Sequence, residues 1–337
     1  MTQIHDVWHR PLTDLRISVT DRCNFRCVFC MPPDRTYRFV PRKELLTYEE
    51  IERVVRILTR LGVRKIRLTG GEPLLRRDIE RLISRLAGIP GITDLALTTN
   101  GVLLADRARA LREAGLHRVT VSLHSLRDDV FGRMNGRGQP VDVVLRGIRA
   151  AIDAGLHPVK VNVVVIRGVN DDEIVSIARF FKAWGVIVRF IEYMDVGTVN
   201  DWSMDRVVPA TEIVRQIHAE MPLEPIGRVM PNEVAERYRY RDDGLEIGVI
   251  ASVTRPFCRT CTRLRLSAQG QLYTCLFASV GFDLRARLRS GSTDDEIAAW
   301  IRTIWTRRKD RYSEERMVHI AQNPRPKTRV EMFEVGG

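Results

Sequence analysis

The sequence predicts an α/β protein whose first two thirds is built from parallel βα units. Short β-rich runs alternate with amphipathic helical runs as far as Ala219, which is typical of such units. Six units are fewer than the eight of a closed barrel. The alternation fits either an incomplete (βα)6 TIM-type barrel or a doubly wound sheet. After about Pro222 the pattern changes to hairpins and one long helix, which predicts a C-terminal α+β extension.

The elements follow from apolar periodicity taken along the chain. Strands are predicted over residues 15–20, 65–69, 94–98, 118–123, 159–166 and 186–191. Helices are predicted over residues 48–61, 78–86, 107–114, 141–154, 172–184 and 211–219. In the extension, hairpins pair 237–240 with 245–251 and 264–267 with 271–274, before a helix over 294–308. We therefore predict a core domain over 1–221 and a C-terminal domain over 222–337.

Composition narrows the class of protein. The chain has 337 residues, and its 54 Lys and Arg against 42 Asp and Glu give a net charge of +12. This surplus fits nucleic acid, a small polyanion or an arginine-rich composition. No apolar run approaches the ~18 residues of a membrane helix, and the N-terminus, with His5, Asp6 and Arg10, lacks a signal-peptide core. We expect a cytoplasmic protein without membrane association, in which cysteines serve metal or redox chemistry.

The six cysteines fall into two groups of three. The first trio is Cys23, Cys27 and Cys30, and the second trio is Cys258, Cys261 and Cys275. Disulfides would leave one thiol over in each trio. Zinc and iron–sulfur sites normally take four protein ligands. Three thiols suggest an iron–sulfur cluster with one iron open to a small molecule, and a zinc site completed by a distant His or Asp is the alternative.

Cations recur at alternate positions of the predicted strands, where alternate residues share one face. They are Arg16, Lys65, Arg67, Lys160, Arg189, Arg263 and Arg265. Parallel strands covered on both faces should be continuously apolar, and unpaired buried charges are strongly disfavoured. We therefore predict a cavity lined with cations for a compact polyanion such as a nucleoside triphosphate. Nucleic acid would more naturally meet an exposed basic stripe, so we predict no nucleic-acid partner.

A second motif, Gly70-Gly71-Glu72-Pro73, directly follows a predicted strand. Two glycines there allow the main chain to approach a ligand closely, and Glu72 offers a carboxylate to an ammonium group. Thr98 and Ser122 lie at the same ends of the next two strands, where barrel active sites are built.

CxxxCxxC followed by GGEP resembles the radical S-adenosylmethionine enzymes, whose partial barrel favours the incomplete-barrel alternative. The segments DRCNFRC, RLTGGEP, TTNG, VKVN, RGVND, RFIEYMDVG and CRTCTRLRLS, in this order, resemble the GTP 3′,8-cyclase family. The resemblance implies two 4Fe-4S clusters, one on each trio, and S-adenosyl-L-methionine as a cofactor. It implies that an adenosyl radical removes hydrogen from ribose C3′ of GTP and that the carbon radical then attacks C8. The product would be (8S)-3′,8-cyclo-7,8-dihydroguanosine 5′-triphosphate, the first intermediate of molybdenum cofactor biosynthesis.

The resemblance also implies a role for single residues. The catalytic set would be the first trio with Arg16, Arg263 and Arg265. S-adenosylmethionine would contact Phe29, Gly70, Gly71, Glu72, Ser122 and Met194. The second trio would bind guanine, and GTP would also contact Arg16, Lys65, Arg67, Thr98, Lys160, Arg189, Arg263, Leu264 and Arg265.

Two positions depart from the family pattern, Phe29 in place of Tyr and His124 in place of Asp, and a structural role is expected for the lone His. The Gly336-Gly337 end resembles family members whose double glycine inserts toward the active site. The implied partners are an electron donor and the next enzyme of the pathway, with the chain as a monomer or homodimer. The alternatives are a radical enzyme that modifies a peptide or an RNA base, and an iron–sulfur regulator that binds nucleic acid, for which we find no helix-turn-helix.

Overall fold

A single mixed sheet forms the centre of the computed structural model, which describes residues 3–228, 230, 232–322 and 329–336. Six parallel strands lie side by side in chain order: β1 Asp14–Ser18, β2 Lys65–Thr69, β3 Asp94–Thr99, β4 Arg118–Ser122, β5 Lys160–Val165 and β6 Ile187–Glu192. All six predicted strands are therefore confirmed, with ends that differ by at most two residues.

The C-terminal part extends this sheet at both edges. Its strands are β7 Leu223–Pro225, β8 Glu236–Tyr240, β9 Glu246–Ile250, β10 Arg263–Leu266, β11 Gln271–Tyr273 and β12 Phe282–Asp283. β10 pairs in parallel with β1 and β9 pairs in parallel with β6, while both predicted hairpins, β8–β9 and β10–β11, are present. Since these strands add to the core sheet instead of forming a separate one, the boundary at 221 stays a prediction.

The helices follow the strands as the periodicity predicted. Their bounds are α1 Tyr48–Arg60, α2 Ile79–Ala87, α3 Ala108–Glu113, α4 Asp128–Asn135, α5 Val141–Asp153, α6 Ile174–Lys182, α7 Ala210–Glu220, α8 Leu284–Arg289, α9 Asp294–Thr306, α10 Tyr312–Gln322 and α11 Met332–Val335. Capping boxes begin α1, at Thr47 with Glu50, and α9, at Thr293 with Glu296. The sequence did not predict α4, α8, α10 and α11, which are short or weakly amphipathic.

The two faces of the sheet have opposite character. On β1 and β2 the side chains of Leu15, Ile17, Ile66 and Leu68 are at most 1% exposed and belong to the main apolar core. The cations between them point to the opposite face, because successive strand residues alternate. The helical layer therefore covers one face and leaves the other for a polar cavity. None of the helices in the described ranges is long and apolar enough to cross a membrane.

Candidate active site

A cavity of about 340 Å³ lies on the cation-bearing face of the sheet, within the size range of small-molecule sites. Most of the predicted site residues line it: Arg16, Lys65, Arg67, Thr98, Lys160, Arg189, Met194, Arg263, Arg265 and all three cysteines of the second trio. Residues that sequence reasoning did not single out also line it, among them Arg10, Arg118 and Arg308. The cations identified by strand alternation, from Arg16 to Arg265, therefore lie in one site.

Three arginines form a row across neighbouring strands. Arg16 on β1 is in register with Arg265 on β10 on one side and with Arg67 on β2 on the other. Adjacent strands are about 4.8 Å apart, so three like charges lie on successive strands of one face. We call Arg265, Arg16 and Arg67 the arginine row.

The arginine row, Lys160 and Arg189 form no salt bridge with a carboxylate within the described ranges. Arg67 donates to the Thr98 and Thr120 hydroxyls at 3.1 and 3.2 Å. Arg189 donates to Asn162 Oδ1 at 3.0 Å and to the Thr120 hydroxyl at 3.3 Å. Neutral acceptors orient these guanidiniums without cancelling their charge.

Burial and mutual repulsion lower the pKa values of the arginine row, Lys160 and Arg189. Burial, followed by the charges of Arg265, Arg263 and other arginines, places the pKa of Arg16 well below its ordinary value. Burial is also the first cause of the lowered pKa values of Arg67 and Arg265, both about 9, Arg189, about 10, and Lys160, about 8. A bound polyanion would relieve this repulsion, so the site favours a ligand with several negative charges.

Two other arginines of the cavity are already paired. Arg118 forms a bidentate salt bridge with Asp94, and the Arg237 guanidinium lies 2.8 Å from the Glu246 carboxylate. Arg118 begins a predicted strand, so the alternation that identified Lys160 also signalled it. Its pairing makes it a support for the cavity wall, whereas the arginine row stays available to a ligand.

The first trio lies on the loop between β1 and α1, which is folded against the GGEP motif. The Gly71 and Glu72 amides donate to the carbonyls of Thr20 and Arg22, both at 2.8 Å. A Cβ at Gly70 would lie 2.3 Å from the Thr20 carbonyl oxygen, and one at Gly71 would lie 2.3 Å from that of Arg22. Only glycine permits this approach, so the two glycines of the motif allow it to pack directly against the loop that carries the first trio.

The first trio has predominantly acidic neighbours. Burial, and then the Glu72 carboxylate, raise the pKa of Cys23 to about 11. Burial and the neighbouring cysteines raise the pKa of Cys27, and burial, Cys23 and Glu331 raise that of Cys30. The Phe25 amide donates to Cys23 Sγ at 3.4 Å, and the Asn100 side-chain amide lies 3.9 Å from the same sulfur.

The Glu72 carboxylate is buried and bound by the chain's own donors, and its expected contact with an ammonium group stays a prediction. It is 1% exposed, and its two oxygens accept from Leu74 N at 3.0 Å, Thr99 Oγ1 at 2.7 Å and Asn100 N at 2.7 Å. Burial raises its pKa to about 7. Glu72 thus connects the GGEP motif to the TTNG turn.

The other residues predicted to contact S-adenosylmethionine lie in different settings. Phe29 is 7% exposed and packs edge-on against His124, with ring centroids 4.9 Å apart. His124 Nδ1 accepts from Val164 N at 3.1 Å, and burial lowers its pKa to about 4, so it has the expected structural contacts. Met194 lines the cavity, whereas Ser122 lies outside that lining, in register with Asn162.

The second trio is assembled from separate elements. A 3-10 turn over Cys258–Thr260 precedes β10, and Cys275 follows β11. Arg263 donates to Cys261 Sγ from Nε at 3.4 Å and from Nη2 at 3.3 Å. Burial alone would raise the pKa of Cys261, but the Arg263 and Arg308 charges lower it to about 6. Burial raises the pKa of Cys275 to about 11.

Leu264 differs from its two arginine neighbours. It is 1% exposed and belongs to the apolar core, because strand alternation turns it away from the cavity. The expected GTP contact is therefore excluded for its side chain and stays a prediction only for its main chain.

The C-terminal segment also reaches the site. Arg265 Nη1 donates to the carbonyls of Val335, at 3.2 Å, and Gly336. A Cβ on Gly336, whose φ is +70°, would lie 2.1 Å from Thr69 Cγ2, so glycine is required there. Gly337, the other half of the predicted tail, lies outside the described residues.

Both trios fit iron–sulfur clusters by their donor chemistry. All six thiols are free and half-buried, and main-chain amides already point at sulfur, as Phe277 N does at Cys275, 3.5 Å away. In the described part of the chain, no three His, Cys, Asp or Glu side chains are placed to hold a single metal ion.

Comparison with known proteins identifies the family of the chain. Residues 17–181 match the family model of the Radical SAM superfamily, and residues 186–314 match that of Molybdenum Cofactor Synthesis C. A GTP 3′,8-cyclase of Acidothermus cellulolyticus is 56% identical over 322 residues, which cover 93% of this chain and 89% of the relative. One of Aquifex aeolicus is 51% identical, with 98% and 99% covered. The chain belongs to the GTP 3′,8-cyclase family.

The fold of this GTP 3′,8-cyclase family member also has a relative among solved structures. Streptococcus suis SuiB bound to S-adenosylmethionine superposes with a TM-score of 0.59, covering 87% of this chain and 69% of that one. At 16% identity the likeness concerns the fold alone. The predicted radical S-adenosylmethionine fold with a C-terminal extension is confirmed.

Proposed function

We propose that this chain converts GTP to (8S)-3′,8-cyclo-7,8-dihydroguanosine 5′-triphosphate, using S-adenosylmethionine and a reductant, as the first step of molybdenum cofactor biosynthesis. The observation that carries the proposal is the arginine row, which lies beside the second trio on the floor of one cavity. A family identity of up to 56% across nearly the whole chain supports it.

The cations of the cavity bind the triphosphate. The arginine row, Lys160 and Arg189 have no carboxylate partner among the described residues, and each has a pKa lowered first by burial. Charge-assisted hydrogen bonds to phosphate oxygens would replace their mutual repulsion with attraction. Lys65 and Thr98 line the same wall and complete the predicted set.

The first trio would hold the cluster that binds S-adenosylmethionine. When bound, the cluster and S-adenosylmethionine would together supply an adenosyl radical, formed by one-electron cleavage of S-adenosylmethionine and able to take hydrogen from ribose C3′. The chain contributes main-chain groups at Gly70 and Gly71, the Phe29 ring and Met194, which lines the substrate cavity. Met194 therefore marks where the cofactor and the substrate meet. Ser122 stays a predicted contact.

The second trio would hold the cluster that binds guanine. Arg263 lies against Cys261 at 3.3 Å, and Arg265 follows two residues later on the same face of β10. Guanine held by this cluster would leave the triphosphate to extend along the arginine row. Arg265 and the Gly336 carbonyl close this side of the cavity, which helps to exclude water from a reactive intermediate.

The remaining partners are part of the same proposal. A protein electron donor supplies the reducing equivalents, the next enzyme of the pathway accepts the product, and the chain works as a monomer or homodimer. The predicted cytoplasmic location fits these partners and stays a prediction.

Anaerobic reconstitution tests the proposal. Iron and sulfide analysis should give two four-iron clusters, and incubation with S-adenosylmethionine, dithionite and GTP should give the cyclised nucleotide. ATP serves as the matched substrate control. A single cluster, or equal turnover of ATP, would contradict the assignment.

Deleting Gly336 and Gly337 should abolish cyclisation and leave S-adenosylmethionine cleavage nearly intact. Loss of both activities would argue against a substrate-side role for the tail.

A further inference from the structure

A buried ion pair near the N-terminus lies directly behind the second trio. Asp6 and Arg10 are 5% and 2% exposed, and Arg10 Nε lies 2.5 Å from Asp6 Oδ2. The same guanidinium donates from Nη1 to the Cys258 carbonyl at 2.8 Å and to the Asp310 carbonyl at 2.9 Å. Residues about 250 positions apart are therefore joined at a cluster ligand.

Arg308 makes the equivalent contact at the next cysteine. Its Nη1 donates to the Cys261 carbonyl at 2.6 Å and lies 3.5 Å from Asp6 Oδ2. Its guanidinium lies over the Trp305 ring at 4.6 Å, and the Trp305 indole donates to the Arg10 carbonyl at 3.1 Å. The side chains of Arg308 and Asp6 are 1% and 0% exposed. Asp6 thus holds two guanidiniums, one behind each end of the CxxC turn.

One donor of this group has no partner. Arg10 Nη2 is fully buried without a hydrogen-bond acceptor in the described structure, although Arg10 lines the cavity next to Cys258. A buried unsatisfied donor costs about 1–3 kcal/mol, so such a group normally serves a ligand that completes it. Arg10 thus has a donor to spare beside the backbone of a cysteine of the second trio.

We propose that Arg10 and Arg308, held by Asp6, form a cationic clamp that positions the Cys258–Cys261 turn and raises the reduction potential of the cluster bound there. Nothing in the family motifs includes these residues, which lie outside CRTCTRLRLS. The inference rests on the second cluster of the proposed function.

The physical reason is the charge added on reduction. A cluster gains one negative charge when it accepts an electron, and a nearby buried guanidinium stabilises the reduced state more than the oxidised one. Asp6 and Asp310 balance the charge of the clamp, but the guanidiniums contact the cysteine main chain, Asp6 lies behind them, and Asp310 lines the cavity on the other side of Arg308. Removal of one guanidinium therefore leaves an excess of negative charge near the cluster.

The test is an anaerobic redox titration of the reconstituted full chain, monitored by electron paramagnetic resonance. The variants are Arg308→Gln, Arg308→Lys, Arg10→Gln and Asp6→Asn. A Cys23→Ser, Cys27→Ser, Cys30→Ser protein, which lacks the first trio, assigns the signals of the second cluster. Arg53→Gln is the matched control, because Arg53 also pairs with an aspartate, Asp294 at 2.7 Å, and donates to a carbonyl, but on the helical layer.

We expect Arg308→Gln and Arg10→Gln to shift the midpoint potential of the second cluster to more negative values. Arg308→Lys should recover part of the shift, and Asp6→Asn should shift the potential in the opposite direction. The first cluster and the Arg53→Gln protein should keep their values. Equal potentials in Arg308→Gln and the parent would overturn the inference, as would a negative shift in Asp6→Asn, since lost structure would then explain both. Absence of the second cluster from the parent protein would instead contradict the proposed function.

Discussion

The two cysteine trios look alike in sequence and have opposite electrostatic surroundings. Next to the first trio lie the carboxylates of Glu72 and Glu331, which add to burial in raising the pKa values of Cys23 and Cys30. Next to the second trio lie Arg263 and Arg308, which overcome burial and lower the pKa of Cys261 to about 6. The two trios each offer three thiols, but the charged residues around them give them different electrostatic environments.

The trios also differ in how the fold assembles them. The first lies on one short loop held by the GGEP motif and by α4, through hydrogen bonds such as that from Arg26 N to Asn135 O at 2.8 Å. The second depends on β10, β11, the N-terminal turn and the segment after α9. A local motif is therefore sufficient for one site, whereas the other requires the completed sheet.

Substitution of one cysteine from each trio tests this comparison most strongly. Cys27→Ser should abolish both S-adenosylmethionine cleavage and cyclisation, because the first cluster is lost. Cys261→Ser should abolish cyclisation and retain cleavage. Chromatographic quantification of 5′-deoxyadenosine and of the cyclised nucleotide measures both. Retained cyclisation in the Cys261→Ser protein would show that the trios do not have separate roles.

Removal of the central cation of the arginine row should have the next largest effect. Loss of a buried charge that binds phosphate costs about 3 kcal/mol, so Arg16→Ala should raise the Kd for GTP about 100-fold. The same change should stabilise the ligand-free chain, by about 1 kcal/mol, because it relieves repulsion from Arg265 and Arg67. Calorimetric titration measures the Kd for GTP, and thermal unfolding measures the stability of the ligand-free chain.

The control for this substitution is Arg109→Ala, which removes an exposed arginine from α3. It should change neither GTP affinity nor stability by much. If Arg16→Ala destabilised the ligand-free chain, mutual repulsion in the arginine row would be disproved.

These contrasts also show which features of the site could be predicted from the sequence. The strand alternation was sufficient to place Arg16, Arg67, Lys160 and Arg189 on one face, because a period of two is local. It could not distinguish Arg118, which is paired with Asp94, from the unpaired cations, since pairing depends on neighbouring strands. The inward orientation of Glu72 and the clamp of Arg10 with Arg308 depend on contacts between distant segments, for which no short-range pattern exists.

A smaller effect is expected at Glu72, which supports the first trio only. Glu72→Gln replaces one acceptor oxygen by a donor that faces the Leu74, Thr99 or Asn100 donors, at a cost of about 2 kcal/mol. Chemical denaturation should show this loss, and S-adenosylmethionine cleavage should decline while the Kd for GTP is retained. A weakened GTP affinity of similar size would mean that the two trios are not independent.

The smallest expected effect is a pH dependence at His124, which packs against Phe29 of the first-trio loop. Burial lowers its pKa from 6.5 to about 4, so the unfolded chain binds the proton first as pH falls. The stability contribution is complete above pH 6.5 and decreases below it, by about 1 kcal/mol at pH 5.5.

Denaturant unfolding of the parent and of His124→Asn at pH 7.5 and 5.5 isolates this contribution. Asn keeps an acceptor for the Val164 amide, which His124 Nδ1 binds at 3.1 Å. The difference between the two proteins should narrow or reverse at the lower pH. A difference that does not change with pH would show that His124 is not held neutral.

The N-terminal turn and the segment at 329–336 meet at the cavity, since Arg10 supports the Cys258 turn and Gly336 contacts Arg265. During synthesis on the ribosome the core sheet can form before the segment at 329–336 has left the exit tunnel. The nucleotide site is therefore completed later than the sheet that carries it, when this segment docks against Arg265.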